Sequence, residues 1–376
     1  MNQDKKIYVT KPYLPELEIF EKYLEKIWEN GILTNKGPLY LEFKKKLSEL
    51  IKNDNINLFC NGHNALECAL KSLNMKQGGE IITTPFTFVS TTHAIINSGF
   101  KPVFCDIKED NMTIDENQIE KLITKNTVAI LPVHVYGFPC NIEKIDEIAK
   151  KYNLKVIYDA AHAFGVEMNN NSILNAGDIS MVSFHATKIF HTIEGGMTVS
   201  KEKLIAEKQE ILQNFGISGY ENVSLIGGNS KMNEFCAAMG LSIIDEIDKI
   251  IEKRKYLATI YKNQLSQIEG IKCFCDDVPN VRQNYAYFPI LINEKKYGKT
   301  RNEIYLELMD KNIFSRKYFY PLTSDMECYR ELFPEFYESN LPIARYIADR
   351  ILTLPMYYEL QEEDVNRVCK ILEKRI

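Results

Sequence analysis

No apolar run in the 376 residues approaches the ~20 that a helix needs to span a bilayer, so no membrane-spanning segment is expected. Met1 to Leu17 holds charges and two prolines but no hydrophobic signal core, and a cytoplasmic protein is the expectation. A basic excess is also missing. Lys and Arg number 46 against 51 Asp and Glu, for a formal net charge of −5. Neutralising phosphates needs a basic face, so the charge argues against a nucleic-acid binder. There is no His-Glu-x-x-His, paired Cys-x-x-Cys or calcium loop, and hence no evident metal site. The P-loop, Gly-x-Gly-x-x-Gly and the nucleophile elbow Gly-x-Ser-x-Gly are absent too. The nine cysteines are odd in number and scattered. Their one close pair, Cys273 and Cys275, has neither zinc spacing nor a nearby His, so all nine read as free thiols, mostly buried. The six histidines run from His63 to His191, which confines any imidazole chemistry to the first part of the chain.

What is present is ordinary globular material, with 45% apolar and 26% charged residues, enough for a sizeable core. Residues 16–30 have helical spacing, closed by Gly31, and Asn61 to Met75 form a second helical pattern. Strand and helix patterns then alternate. Strands are expected at 80–84, 101–106, 127–134, 154–159, 178–184 and 196–200, with helices at 115–123 and 142–152. This rhythm predicts an α/β fold, a mainly parallel sheet with helices on both faces. From Asn233 to about Leu265 one long charged helical pattern follows. A strand at 283–292 and helices near 301–311, 341–351 and 362–375 complete the chain. The change of rhythm divides it into a large domain, 1–245, and a smaller C-terminal α+β domain, 246–376.

In such sheets functional groups gather beyond the carboxyl ends of the strands. Four polar segments sit there. In Ser183-Phe-His-Ala-Thr-Lys188, Lys188 follows a buried strand and is either a solvated loop lysine or an amine with lowered pKa that attacks carbonyls. In Tyr158-Asp-Ala-Ala-His162, Asp159 is either a helix cap or an acid awaiting a cation such as a protonated pyridine. His162 either faces the same site or is structural. Asn61-Gly62-His63-Asn64 opens a helix whose free N–H groups suit a phosphate, or is simply a turn. In Thr84-Pro-Phe-Thr-Phe88, Phe88 either stacks on a flat ring or packs in the core.

Taken together and in order, these segments resemble the pyridoxal-phosphate (PLP) aminotransferases of the DegT/StrS type, with the aspartate aminotransferase fold. The resemblance runs from Thr10-Lys-Pro to Leu354-Pro-Met-Tyr. It implies Lys188 as the Schiff-base lysine, Asp159 as partner of the pyridinium nitrogen, His162 beside the ring and Phe88 stacked on it. It implies phosphate contacts from Gly62, His63 and Asn64, from the Ser183 hydroxyl, and from Asn229 of a neighbouring subunit. That last contact implies a homodimer with shared sites. Where the family commonly has Gly-Thr-Ala this chain has Gly62-His63-Asn64. Leu33 and Thr34 in the 31–35 loop, Glu194, Lys231, Tyr318 and Tyr320 are the implied substrate contacts, although the two tyrosines also suit packing and Lys231 a surface charge. The strings Pro132-Val-His-Val-Tyr-Gly137 and Arg316-Lys-Tyr-Phe-Tyr-Pro321 resemble enzymes that aminate dTDP-4-keto-6-deoxyglucose at C4, for surface polysaccharides, with L-glutamate or L-glutamine as donor. A 3-keto nucleotide sugar and a small phosphorylated ketone such as dihydroxyacetone phosphate are the alternative acceptors. An inactive regulator of the same fold is a further reading, opposed by the intact Lys188 and Asp159.

Overall fold

The computed structural model describes residues 5–274, 278–337 and 340–373, so Cys275 lies outside the described residues. The eight described cysteines are free thiols. The chain opens with two helices, α1 (Leu17–Asn30) and α2 (Pro38–Ile51). Gly31 ends α1 as expected, in the left-handed conformation at φ 67°, with its N–H on the Ile27 carbonyl. The apolar face of α1 is only partly covered, with Phe20, Tyr23 and Leu24 half-buried against the core. Only Ile27 is buried, and Trp28 is 73% exposed.

Seven strands form the central sheet: β1 (Ile56–Phe59), β2 (Glu80–Thr83), β3 (Lys101–Phe104), β4 (Thr127–Leu131), β5 (Lys155–Asp159), β6 (Ile179–Ser183) and β7 (Gly196–Ser200). Their order is β1-β7-β6-β5-β4-β2-β3. β7 is antiparallel to both neighbours, and every other pair is parallel. The helices between them are α3 (Gly62–Ser72), α4 (Val89–Asn97), α5 (Glu116–Leu122) and α6 (Ile142–Tyr152), and α7 (Lys203–Leu212) follows the last strand. Period-two alternation sends successive strand residues to opposite faces. Ile81, Leu131, Ile157 and Met181 pack with α3 and α4. Ile82, Ile130, Val156 and Tyr158 pack with α5 and α6. With both faces covered the strands are apolar throughout, as the sequence rhythm required.

The helical pattern from Asn233 to Leu265 is not continuous. It forms α8 (Glu234–Ile243) and α9 (Ile247–Leu265), separated by a 3-10 turn at Ile244–Glu246. The core changes only part-way along α9, whose Ile247, Ile250 and Ile251 still pack in the core of α8. α8 is buried with α1 and α2, whereas the α9 stripe Leu257, Tyr261 and Leu265 packs on the C-terminal sheet. That sheet is antiparallel, β8 (Ile271–Cys273), β9 (Phe288–Ile292) and β10 (Ile351–Leu354) in that order. Helices α10 (Arg301–Asp310), α11 (Pro342–Arg350) and α12 (Glu362–Glu373) accompany it. The strand expected at 283–292 begins only at Phe288, because the buried Asn284 directs the preceding residues into a loop. Ile7, from the other end of the chain, joins this C-terminal core and pairs with the backbone of Asn312 and Phe314.

Candidate active site

The carboxyl ends of β5 and β6 and the N-terminus of α3 meet in a cleft of about 350 Å³. Asp159 ends β5 and is 5% exposed. Its Oδ2 accepts from Thr91 Oγ1 at 2.7 Å and its Oδ1 from the Ala161 N–H at 3.1 Å. Thr91 stands on α4, with Thr87 Oγ1 2.8 Å away. No cation pairs with Asp159 among the described residues. Burial pushes its carboxyl above the usual range, against the pull of Thr91, Ala161 and Lys188.

Lys188 lies in the turn after β6, its N–H on the His185 carbonyl at 2.9 Å. Burial lowers the amine from its ordinary value. Tyr318 and Asp159 oppose that shift, and Arg316 adds to it. A lysine biased toward the neutral form can act as a nucleophile and exchange protons. His162 is also buried, and its Nδ1 accepts the Tyr136 N–H at 3.0 Å. Desolvation holds the ring well below its ordinary pKa, so it is neutral with the proton on Nε2. Asn284 fixes the segment by donating to the carbonyls of His162 and Phe164, at 2.7 and 2.9 Å. Gly137, at φ 93°, admits this contact, since a Cβ there would meet Asn284 Oδ1 at 2.6 Å.

A close approach likewise sets the opposite end of the cleft. A Cβ on Gly62 would stand 2.9 Å from the Ser183 Cβ, so only glycine lets α3 start against the end of β6. Asn61 caps the helix, its Oδ1 accepting the Asn64 N–H at 2.8 Å. Helix geometry leaves the first N–H groups, at Gly62 and His63, without intrahelical partners. The Asn64 amide, expected to face a phosphate, is instead used by the cap. Its side chain donates to Cys60 Sγ at 3.2 Å and lines a neighbouring cleft with Asn229.

The mouth of the active cleft is looser. Phe88 is 52% exposed, with its ring centroid 6.5 Å from that of Tyr318. Glu194 Oε1 lies 3.6 Å from His185 Nε2. The Arg316 guanidinium stacks 4.8 Å from the Tyr318 ring and has no carboxylate partner among the described residues. Five expected residues lie elsewhere. Tyr320 lines an adjoining cleft beside Lys317, with the Arg301 guanidinium 4.8 Å from its ring. Leu33 and Thr34 occupy an exposed loop, where the Leu33 carbonyl accepts the Glu234 N–H at 3.0 Å. Lys231 Nζ binds Asn214 and Asn229 through their Oδ1 atoms, at 2.7 and 3.0 Å. Within one chain, neither Asn229 nor Lys231 enters the cleft of Lys188. Conversely, Thr91, Tyr136, Asn284 and Arg316 support the site without having been singled out. Tyr136 and Arg316 fall inside strings that carried the resemblance, whereas Asn284 left no local signal.

The sequence profile of the DegT/DnrJ/EryC1/StrS aminotransferase family matches residues 16–373. A dTDP-4-amino-4,6-dideoxy-D-glucose transaminase of Shigella dysenteriae is 44% identical over 371 residues, 99% of each chain. The Escherichia coli protein of the same name is 44% identical over 98% of each chain. Among solved structures, DesI in the presence of its TDP-sugar product superposes with a TM-score of 0.92 at 29% identity, covering 98% of this chain and 92% of that one.

Proposed function

The chain belongs to the DegT/DnrJ/EryC1/StrS aminotransferase family, and from that premise we propose that it moves an amino group from L-glutamate to the 4-keto carbon of a dTDP-4-keto-6-deoxyhexose. The product is a dTDP-4-amino-4,6-dideoxy sugar, made in the cytoplasm for a surface polysaccharide. One observation carries the substrate: 44% identity, over nearly the full length, to two transaminases named for that sugar.

The cleft fits PLP in its donor set. Asp159 is a buried carboxylate lacking a cation, and a protonated ring nitrogen supplies one. Each charge, disfavoured alone by burial, offsets the other. The Gly62 and His63 N–H groups, the positive end of α3 and the Ser183 hydroxyl suit a phosphate dianion. Phe88 covers the ring, and His162, with Nδ1 engaged, offers only its Nε2–H. When bound, PLP supplies the electron sink that accepts the electron pair released at the amine-bearing carbon. Lys188 holds the cofactor covalently. Its Nζ, once free and neutral, takes a proton from the donor carbon and later returns one. Arg316, Tyr318 and Glu194 then select the anionic and hydroxyl-rich substrates at the mouth.

A homodimer completes this reading. Leu33, Thr34, Asn229 and Lys231 stand outside their own cleft, and Leu33, Val223 and Ile226 are exposed apolar residues. A second copy would cover these and carry the polar groups to its neighbour's site.

The test is a half-reaction. Protein loaded with PLP is aminated with L-glutamate, freed of donor, and mixed with dTDP-4-keto-6-deoxyglucose. A stoichiometric aminated nucleotide sugar is expected by mass spectrometry. Amine transfer only to a 3-keto nucleotide sugar, or only to dihydroxyacetone phosphate, would replace the substrate. No transfer to any of them would overturn the reading.

A further inference from the structure

At the start of α3 three side chains form a relay that the reaction above does not use. His63 Nδ1 lies 2.8 Å from Ser90 Oγ, and His63 Nε2 lies 3.1 Å from Glu67 Oε1, one helical turn on. Ser90 belongs to the first turn of α4, and both Ser90 and His63 line the cleft with Gly62 and Ser183. The acidic end is well anchored. Glu67 also accepts from Asn97 Nδ2 at 3.0 Å, and Lys71 Nζ stands 3.6 Å from its second oxygen. The hydrogen bond from His63, then those contacts, hold the Glu67 carboxyl down at about 2 against the effect of burial. Glu67 is therefore an anion at working pH and accepts only, so Nε2 of His63 carries a proton.

That leaves two states for the other nitrogen. In a neutral ring Nδ1 is an acceptor and takes the Ser90 hydroxyl proton, so Ser90 turns lone pairs toward the cleft. In a cationic ring Nδ1–H donates to Ser90 Oγ, and the Ser90 O–H is released to donate into the cleft. A dianion beside α3 is repelled by the first arrangement. The second gives it a hydrogen bond and a nearby positive charge.

We propose that Ser90 is a hydrogen-bond donor to the cofactor phosphate, positioned by His63 and Glu67, and that seating the phosphate draws one proton from solvent onto His63 Nδ1. The proposal rests on the PLP reading. The other charged or titratable groups around the imidazole are Lys71 on α3, His93 on α4, and Asp159, His185 and Lys188 across the cleft. His93 is occupied by Tyr329 Oη at 2.7 Å, and burial keeps its ring low, so it does not replace His63 as the proton acceptor.

Calorimetric titration of pyridoxamine phosphate into cofactor-free protein, in buffers of different ionisation heat, counts the protons taken up. This amine form makes no covalent bond to Lys188, and pyridoxamine without phosphate cancels the ring and amine contributions. At pH 8 the phosphate, with its second pKa near 6, is already a dianion and adds no uptake of its own. Up to about one extra proton is expected with the phosphate form, and its Kd should rise by up to about tenfold per pH unit. His63→Asn, whose new residue suits a helix start, should abolish the extra uptake. Glu67→Gln should reduce it. Ser90→Ala should weaken binding of pyridoxamine phosphate about tenfold, with pyridoxamine unchanged. Binding with no extra uptake, uptake that survives His63→Asn, or wild-type affinity in Ser90→Ala each overturns this inference alone. Failure of pyridoxamine phosphate to bind at all overturns the cofactor reading with it.

Discussion

At the floor of the cleft Asp159 and His162 are 5% and 6% exposed, and each is held by short hydrogen bonds from the surrounding backbone and side chains. At the mouth Phe88 is 52% exposed, and the side chains of Arg316 and Glu194 meet an aromatic ring and a half-exposed imidazole. The floor comes from the strand ends of the central sheet, and Arg316 and Tyr318 come from the segment that precedes the C-terminal helices. Burial penalises every charge at the floor. It raises Asp159 and lowers Lys188 and His162. Chemistry and selection are thus separated in space, and substitutions should separate them in kinetics.

The sharpest break is Lys188→Ala. Loss of both the covalent attachment and the proton carrier should lower turnover by at least about 10³-fold, read in the half-reaction. Borohydride reduction of the wild type should leave the cofactor on the peptide that contains Lys188, and reduction of the variant should leave none. Asp159→Asn comes next, with kcat lowered by about 10²-fold because a neutral amide does not hold the ring nitrogen protonated. Its stability should move the other way. A carboxyl whose folded pKa lies above the unfolded value near 3.9 favours folding while protonated, and that contribution is lost as pH rises through the folded value. At pH 7 the cofactor-free wild type therefore carries a penalty that asparagine lacks. The variant should show the higher Tm at pH 7, and the gap should narrow as pH falls toward 4.

The same contrast governs what could be seen in advance. Asp159 closes an apolar strand and Lys188 lies in the turn beyond one; each was ambiguous locally, and the order of the motifs singled both out. Gly31 and Gly62 were legible as punctuation. The supports of the floor were not. Thr91 lies in Val-Ser-Thr-Thr, a β-branched stretch of modest helix propensity that becomes α4 by packing on α3. Asn284 acts on His162 across 122 residues, a contact no local pattern encodes. The break at Ile244–Glu246 was hidden for a related reason. The charge pattern continues through it, and the packing partner changes only further on, after Ile251. The helix α2, not among the expected elements, carries the stripe Leu39, Tyr40, Phe43, Leu47 and Ile51 behind Pro38 at its first position.

At the mouth, Arg316→Met keeps the length and apolar stem and removes the charge. A charge-assisted hydrogen bond is worth about 1.5–3 kcal/mol, so KM for the anionic substrate it serves should rise about 10- to 100-fold. kcat should change less than KM, since Arg316 reaches the floor only through its contribution to lowering the Lys188 amine. Whether KM rises for the amino donor or for the nucleotide sugar assigns the residue to one half-reaction. An equal fall in kcat would place Arg316 in the chemistry and erase the distinction between floor and mouth.

Thr91→Val probes the floor at its finest grain, with the smallest expected effect. Thr91 donates to Asp159 Oδ2, so its own oxygen is left to accept from Thr87 Oγ1, 2.8 Å away. Valine preserves the branched shape and removes the middle of this chain. Asp159 keeps the Ala161 N–H but loses the largest of the influences that hold its carboxyl down. The ionised form is then harder to maintain, and Thr87 loses an acceptor in a dry place. A neutral hydrogen bond of about 0.5–1.5 kcal/mol corresponds to a two- to tenfold fall in kcat, with KM unchanged. Thr91→Ser restores the hydroxyl at the expense of a methyl group. Serine should therefore recover kcat even where it lowers Tm. If serine and valine instead fall together, packing rather than the hydroxyl is what Thr91 contributes, and the floor is held by shape more than by hydrogen bonds.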